Sequence, residues 1–222
     1  MRRPRLSALA MLGCAAVFLA AGCGDDEDQP APAETAEQCA PAEEPQAKSV
    51  NFGRPERVLE SGQPASATVE TSCGTFVIEL DTQESPKTAN SFAFLADEGL
   101  YDGTWFHRIV TDAFIQGGDP LGDGTGGPGY TIQEEPPPDT SYLRGIVAMA
   151  KTSVEPPGTS GSQFFVVAQA DAGLSPDYAV LGQVTEGIDV VARIAALGDP
   201  ASGQEGTPLE PVTIDRVTIE AG

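Results

Sequence analysis

The feature that most restricts the fold of this chain is how often glycine and proline interrupt its runs of strand-forming residues. The 222 residues include 25 glycines and 19 prolines. From about residue 66 onward, turns rich in these residues separate short strand-like segments at 67–71, 74–80, 105–110, 114–116, 144–150, 163–168, 179–184 and 212–220. Many short strands joined by such turns predict a mainly β domain, either a barrel or a sandwich.

Two segments have helical rather than strand periodicity. The first begins at Ser85-Pro86, where serine can cap the helix and proline occupies its first position, and it ends at Gly99. Its apolar face is formed by Ala89, Phe92, Leu95 and Ala96. The second helix is predicted over 186–197, with an apolar face formed by Ile188, Val191, Ile194 and Ala195. These two helices are expected to cap the β structure.

The first 22 residues have the composition of an export signal. A basic start at residues 1–5 precedes an apolar run at 6–20, and small residues then lead to Cys23. This order resembles a bacterial lipoprotein signal, and the resemblance implies that Cys23 becomes the lipidated N-terminus of a membrane protein on the extracytoplasmic side. A simple secretory signal or an uncleaved anchor remains the alternative. In the secreted form Cys23 would carry no lipid.

Residues 23–64 are rich in alanine, proline and acidic residues and show no hydrophobic periodicity. This composition predicts a disordered linker ahead of a single domain at 65–222. Two cysteines, Cys39 and Cys73, remain beyond the signal. An exported chain could join them in a disulfide that ties the linker to the first strands, or they could be separate thiols.

Charge and metal-ligand content exclude several classes of function. The formal net charge is −21, so phosphate backbones would be repelled and nucleic acid is not an expected partner. One histidine, with two cysteines that are not part of any CxxC pair, cannot form a zinc site of the usual spacing. We therefore expect no bound metal, and we expect a monomer.

Polar residues stand on predicted strands where apolar residues would be ordinary. Arg108 lies between aromatic and aliphatic residues, and Gln116 follows it by eight positions. Strand alternation would put Phe106, Arg108 and Val110 in one row if Arg108 and Val110 share a face. The arginine either extends to water or donates hydrogen bonds to a ligand. His107 has no motif with a serine or cysteine nucleophile, so hydrolysis is poorly supported.

Several separate motifs resemble those of the cyclophilins. They are FHRIV at 106–110, QGGD at 116–119, AMA at 148–150, GSQFF at 161–165 and LGQV at 181–184, together with SPKTAN at 85–90. The resemblance extends over roughly residues 65–220. It implies an eight-stranded antiparallel barrel with a helix over each end and an active site on its outer face. It also implies peptidyl-prolyl cis-trans isomerase activity on proline-containing polypeptides, without a cofactor.

The resemblance assigns roles to individual positions. Arg108 and Gln116 match the family's catalytic arginine and its positioning glutamine. The matching substrate-binding positions are His107, Val110, Phe114, Ala150, Gln163, Phe165, Leu174 and Tyr178.

Three departures concern aromatic positions of the proline pocket. Ala113 stands where the family has a phenylalanine, so either Phe114 supplies the ring or the pocket is wider. Gly173 replaces a frequent tryptophan, and Tyr178 replaces a histidine. Because Ala113 and Gly173 remove aromatic surface, the alternative function is a proline-peptide-binding scaffold or chaperone with weak or no turnover.

Overall fold

The structure is a computed structural model, and it describes residues 38–222. This part of the chain contains eleven β-strands and two α-helices. Their bounds are β1 Ala65–Thr71, β2 Gly74–Leu80, α1 Pro86–Asp97, β3 Thr104–Trp105, β4 Arg108–Val110, β5 Phe114–Gly117, β6 Ile132–Gln133, β7 Ile146–Met149, β8 Thr159–Ser160, β9 Phe164–Val167, β10 Val180–Glu186, α2 Ile188–Ala195 and β11 Thr213–Ala221. A 3-10 segment, Pro200–Glu205, precedes the last strand.

Nine strands form one antiparallel sheet in the order β3-β11-β1-β2-β10-β7-β9-β5-β4. Its two end strands, β3 and β4, follow each other directly in the chain and are separated only by Phe106 and His107. The sheet therefore curls until its ends meet in one interrupted strand. Counted as one, β3 and β4 complete an eight-stranded barrel, and the predicted mainly β, antiparallel fold is confirmed.

The interruption changes which residues share a face. Phe106 is fully buried in the barrel interior, where its ring packs edge-on against Phe164. Arg108 starts the next strand on the outer face, and Val110 is two positions along the same strand. The expected single row of Phe106, Arg108 and Val110 is therefore wrong for Phe106. Alternation cannot be counted across a break in the strand.

The barrel interior is apolar, and both helices pack over it. All four residues predicted for the inner face of α1 are buried, as are Val191, Ile194 and Ala195 of α2. The second helix starts two residues later than predicted because Gly187 precedes it with φ 74°, and it ends at Ala195. That left-handed conformation lets the chain turn out of β10 directly into the helix.

Residues 38–64, here called the strap, contain no helix or strand but lie against the barrel. Cys39 is joined to Cys73 by a disulfide at the turn between β1 and β2. Beside this bond, the backbone N–H of Ala40 donates to the carbonyl of Ser72 at 2.6 Å. The predicted disordered linker therefore needs correction over 38–64, because the disulfide and these contacts outweigh the polar composition.

Further contacts hold the rest of the strap in place. The rings of Phe52 and Phe94 meet edge-to-face with centroids 6.2 Å apart. The side-chain oxygen of Asn90, on α1, accepts hydrogen bonds from the backbone N–H groups of Val58 and Leu59 at 2.8 and 3.0 Å. The strap is thus attached near both of its ends.

The predicted signal at 1–22, the lipidation site Cys23 and the linker up to residue 37 lie outside the described residues. Within residues 38–222, no helix has the length and hydrophobicity needed to cross a membrane.

Candidate active site

Cross-strand register sets the candidate site on the outer wall of the barrel. Arg108 lies opposite Gln116, Gln116 lies opposite Phe165, and Phe165 lies opposite Ala148. Their neighbours along the strands, Ile109, Ile115 and Val166, are fully buried in the interior. Because side chains alternate between the faces of a strand, the row that contains Arg108 and Gln116 faces outward.

The guanidinium of Arg108 is held by two partners. Its Nη1 donates to Oε1 of Gln116 at 3.1 Å, while Nε and Nη2 donate to the carbonyl of Gln204 at 3.1 and 2.6 Å. Since a guanidinium carries five N–H donors, two have no partner within residues 38–222. Burial lowers the pKa of Arg108 from its ordinary value, yet an arginine still carries its charge at neutral pH.

The side chain of Gln116 is fixed from its other end as well. Its Nε2 donates to Oε1 of Gln163 at 3.0 Å. Gln163 in turn donates to the carbonyls of Gly124 and Gly126 at 3.0 and 2.9 Å. This chain of bonds leaves one orientation for the amide of Gln116, with its oxygen toward Arg108.

Aromatic rings adjoin the guanidinium on the same face. Cζ of Arg108 lies 4.8 Å from the ring centroid of Phe114. The rings of Phe114 and Phe165 have centroids 5.8 Å apart, and those of Phe165 and Tyr178 are 5.4 Å apart. Ala150 and Leu174 pack against the same cluster. An apolar surface that can accept a proline ring therefore lies beside a cation with two unused donors.

The segment that departs from the family pattern is a tight turn. Asp112 has φ 54°, and the carbonyl of Ala113 accepts bonds from the N–H groups of Ala168 and Gln169. Phe114 begins β5 opposite Val110, which brings its ring to the outer face. The structure thus supplies an aromatic ring next to Arg108 from position 114. At Gly173 no neighbouring atom of the described residues lies within 4 Å of the point where a side chain would start, so that side of the apolar surface stays open.

His107 is positioned without a proton-transfer partner. Neither ring nitrogen has a hydrogen-bond partner within residues 38–222. Burial lowers the pKa of His107, and the nearby carboxylate of Asp119 opposes that shift only in part. The imidazole is therefore neutral at pH 7. The hydroxyl of Ser162 donates to the carbonyl of Gly118, so it is not poised as a nucleophile.

Three features of the site have no motif in the sequence. The first is the Gln204 carbonyl beside Arg108. The chain can approach Arg108 here because residue 206 is glycine: a Cβ at that position would lie only 2.9 Å from Cγ of Arg108. The second is Tyr142, which is fully buried beneath Phe165 and whose hydroxyl bonds to the backbone O and N of Tyr178 at 2.6 and 2.9 Å. The third is Lys151, whose Nζ lies 5.4 Å from the ring centroid of Tyr178.

A groove of about 940 Å³ adjoins the site and is here called the side groove. Gln116, Ala150 and Gln163 line it on the side of the site, and residues 48–51 of the strap line it on another. Among residues 38–222, no group of three or more His, Cys, Asp or Glu side chains is arranged to hold a metal ion.

The barrel thus carries an arginine, a glutamine and an aromatic surface side by side on its outer wall. The chain belongs to the family described as cyclophilin type peptidyl-prolyl cis-trans isomerase/CLD, which matches residues 66–219.

Curated relatives agree with this assignment. The chain is 36% identical over 199 residues to a probable peptidyl-prolyl cis-trans isomerase B of Mycobacterium tuberculosis, covering 82% of this chain and 63% of that protein. It is 38% identical over 172 residues to peptidyl-prolyl cis-trans isomerase B of Streptomyces anulatus, covering 69% of this chain and 95% of that protein. It is 40% identical over 159 residues to the human peptidyl-prolyl cis-trans isomerase-like 1, covering 70% and 92%. The chain thus spans less than two thirds of the mycobacterial relative.

Solved structures show the same fold. A cyclophilin type isomerase of Cryptosporidium parvum superposes with a TM-score of 0.64 at 29% identity, covering 72% of this chain and 99% of that one. A second structure of that protein, in the presence of the dipeptide Ala-Pro, gives 0.63 at 30% identity and covers 71% and 99%.

Proposed function

We propose that this protein catalyses cis-trans isomerisation of X-Pro peptide bonds in exported polypeptides. The observation that carries the proposal is the charged guanidinium of Arg108, oriented by Gln116 and by the Gln204 carbonyl, beside the apolar surface of Phe114 and Phe165.

The reaction requires no nucleophile. Rotation about the peptide bond is slow because of its partial double-bond character, which gives a barrier of about 18–20 kcal/mol. In the twisted state the prolyl nitrogen is no longer conjugated with the carbonyl, and its lone pair becomes localised on the nitrogen. A donor placed at that nitrogen, or at the prolyl carbonyl, binds the twisted state more strongly than the planar one and so lowers the barrier.

The required stabilisation is within reach of these residues. Raising a rate from about 0.01 to about 10 s⁻¹ takes three decades, or roughly 4 kcal/mol at ~1.36 kcal/mol per decade. One charge-assisted hydrogen bond from Arg108 supplies about 1.5–3 kcal/mol. Packing of the proline ring against Phe114 and Phe165 and the exclusion of water supply the remainder.

Orientation is the task of the residues around the arginine. Three N–H groups of Arg108 are engaged by Gln116 and Gln204, so the guanidinium plane cannot rotate freely. The two free donors therefore point in fixed directions before substrate binds, and little entropy is lost on binding.

We further propose that the protein acts on the extracytoplasmic side of the membrane, held by a lipid on Cys23. The order of basic residues, apolar residues and small residues before Cys23 supports this location. The Cys39–Cys73 disulfide is consistent with it, because such bonds persist in oxidising compartments.

The activity is tested with the full chain purified in detergent. Exchange NMR on an alanyl-prolyl peptide measures the cis-trans rate directly, with the Arg108→Ala variant as the matched control. We expect a large rate increase with the natural protein and a much smaller one with the variant. Equal rates with and without the natural protein would overturn the proposed activity.

The location is tested separately. Mass analysis of the mature N-terminal peptide should show a lipid on Cys23, and Cys23→Ser should move the protein from the membrane fraction to the soluble one. A membrane-bound Cys23→Ser protein that still retains residues 1–22 would support an uncleaved anchor instead.

A proline-binding scaffold with little turnover is the second candidate. The open space at Gly173 favours it, because a less enclosed proline ring is held less firmly in the twisted state. Saturable binding of the alanyl-prolyl peptide without any increase in its exchange rate would establish this function instead.

A further inference from the structure

We propose that Ser202 is a positioning residue for the isomerisation, because its hydroxyl holds the loop whose main-chain carbonyl orients Arg108. This inference rests on the proposed function, since it concerns how the same guanidinium is fixed. The loop comprises residues 199–207, which include the 3-10 segment Pro200–Glu205, and it is here called the brace loop.

The brace loop supplies most of the bonds that hold the guanidinium. The Gln204 carbonyl accepts from Nε and Nη2 of Arg108 at 3.1 and 2.6 Å. Gln116 holds only one further N–H group, through Nη1 at 3.1 Å. The orientation of the guanidinium therefore depends on where the loop places one main-chain oxygen.

The part of the loop around that oxygen has little rigidity of its own. Gly203 has φ 54° and ψ −125°, and Gly206 has φ 70°. Glycine at such positions has the greatest backbone freedom of any residue. Gln204 and Glu205, which lie between the two glycines, are exposed. Packing of their side chains therefore does not fix the carbonyl, and bonds elsewhere in the loop must do so.

The hydroxyl of Ser202 joins the two limbs of the brace loop. Its Oγ donates to the carbonyl of Asp199 at 2.7 Å and accepts from the backbone N–H of Thr207 at 2.9 Å. The N–H of Asp199 also donates to the carbonyl of Thr207 at 2.8 Å, which closes the base of the loop. Ser202 thus forms a cross-link just before the flexible Gly203.

The other side of Gln204 is attached to the barrel. The carbonyl of Gly206 accepts from the backbone N–H of Ile109, the neighbour of Arg108 in β4, at 2.7 Å. The Gln204 carbonyl is therefore held between two fixed points, Ser202 and Gly206. Without the hydroxyl of Ser202 only one of them remains. A displacement of about 1 Å in a catalytic arrangement can cost up to about 10²-fold in rate, so this loss should reach the reaction.

The test compares Ser202→Ala with Thr111→Val in the full chain. Oγ1 of Thr111 donates to the carbonyl of Gly198 at 2.9 Å, next to the base of the loop. The control variant therefore also loses one side-chain bond to this part of the backbone, but it keeps the cross-link at Ser202. Exchange NMR on the alanyl-prolyl peptide gives kcat and KM, and nitrogen-15 NMR without peptide follows the exchange of the Arg108 Nε–H with water.

We expect Ser202→Ala to lower kcat about three- to tenfold, because the guanidinium is less well oriented. KM should be unchanged, because the apolar surface for the proline ring is not altered. The Nε–H of Arg108 should exchange faster with water, and Thr111→Val should behave as the natural protein in all three respects. In the Arg108→Ala background, Ser202→Ala should have no further effect on kcat, because its effect passes through the guanidinium.

The inference is overturned if Ser202→Ala leaves either kcat or the exchange of the Arg108 Nε–H unchanged. It is also overturned if Ser202→Ala lowers kcat by the same factor with and without Arg108, because the role of the hydroxyl would then be general stability. Rapid exchange of the Thr207 amide in the natural protein would exclude the cross-link, even if the variant were unstable. Failure of the proposed function is distinguishable, because it appears as no acceleration by the natural protein, whereas the Nε–H exchange reports the orientation of Arg108 without substrate.

Discussion

Replacement of Arg108 by alanine should reduce kcat/KM much more than it reduces stability. The variant loses one charge-assisted bond to the twisted peptide, worth about 1.5–3 kcal/mol. At ~1.36 kcal/mol per decade this corresponds to a loss of roughly 13- to 160-fold in kcat/KM. The loss should fall mainly on kcat, because the bond is made in the transition state.

The cost to folding is smaller because the partners of the guanidinium can be rehydrated. Gln204 is exposed, so its carbonyl regains water when the arginine is removed. Gln116 is half-buried and keeps its bond to Gln163. We expect the free energy of unfolding to fall by about 1 kcal/mol, the net value of an ordinary hydrogen bond.

The assay pairs exchange NMR on a proline peptide with urea unfolding of the same samples. Arg108→Lys is the intermediate variant: it keeps the charge but lacks the planar fork that reaches Gln116 and Gln204 together. Its rate should lie between those of the natural protein and the alanine variant. Full kcat/KM in folded Arg108→Ala would refute the assigned role of the guanidinium, and a rate loss matched by general unfolding would refute the separation from stability.

Three further changes test other parts of the structure. Tyr142→Phe removes a hydroxyl that burial keeps protonated, with a pKa of about 12. Leaving the Tyr178 N–H unpaired should lower the free energy of unfolding by about 1–3 kcal/mol, and the looser pocket should raise KM more than it lowers kcat. The pKa of His107 is lowered in the folded protein, so the unfolded chain takes up this proton first as the pH falls below about 6.5. Acid therefore favours unfolding, and the melting temperature should drop more steeply from pH 7 to 5 in the natural protein than in His107→Gln. Parallel curves for the two proteins would contradict this. Replacing Cys39 and Cys73 by serine removes a cross-link over a separation of 34 residues, worth about 4 kcal/mol by the chain-entropy relation, so limited proteolysis should cut the strap faster; unchanged cleavage would contradict this.

Local patterns in the sequence predicted both helices and a segment for each strand of the nine-stranded sheet, but they did not predict β6 and β8. Ser85-Pro86 marks the start of α1, and Gly198 lies just beyond α2. The break between β3 and β4 could not be read in the same way. Residues 105–110 form one run of strand formers in the sequence. In the structure the N–H of Phe106 donates to the carbonyl of Val212, whereas the N–H of Ile109 donates to the carbonyl of Gly206. This change of partner is a tertiary feature that the run of residues does not reveal.

The side chains of the candidate site could be predicted from the sequence, but its main-chain groups could not. Arg108 and Gln116 stand out because they are polar residues on strands. The Gln204 carbonyl is a main-chain group 96 residues from Arg108, and any residue type presents one. The strap was missed for a related reason: its polar, proline-rich composition is that of a linker, and a covalent bond with a few well-placed contacts holds it.

Pairing of the first strand in the chain with the last has a consequence during synthesis. Ala65 pairs with Ala221, and the whole length of β1 is bonded to β11. At a translation rate of about 5–20 residues per second, β1 waits roughly 7–28 s for its partner after it has been made. During that interval one edge of β1 offers unpaired backbone groups to any other extended chain. The nascent protein therefore keeps this edge open to aggregation until its final nine-residue strand is added.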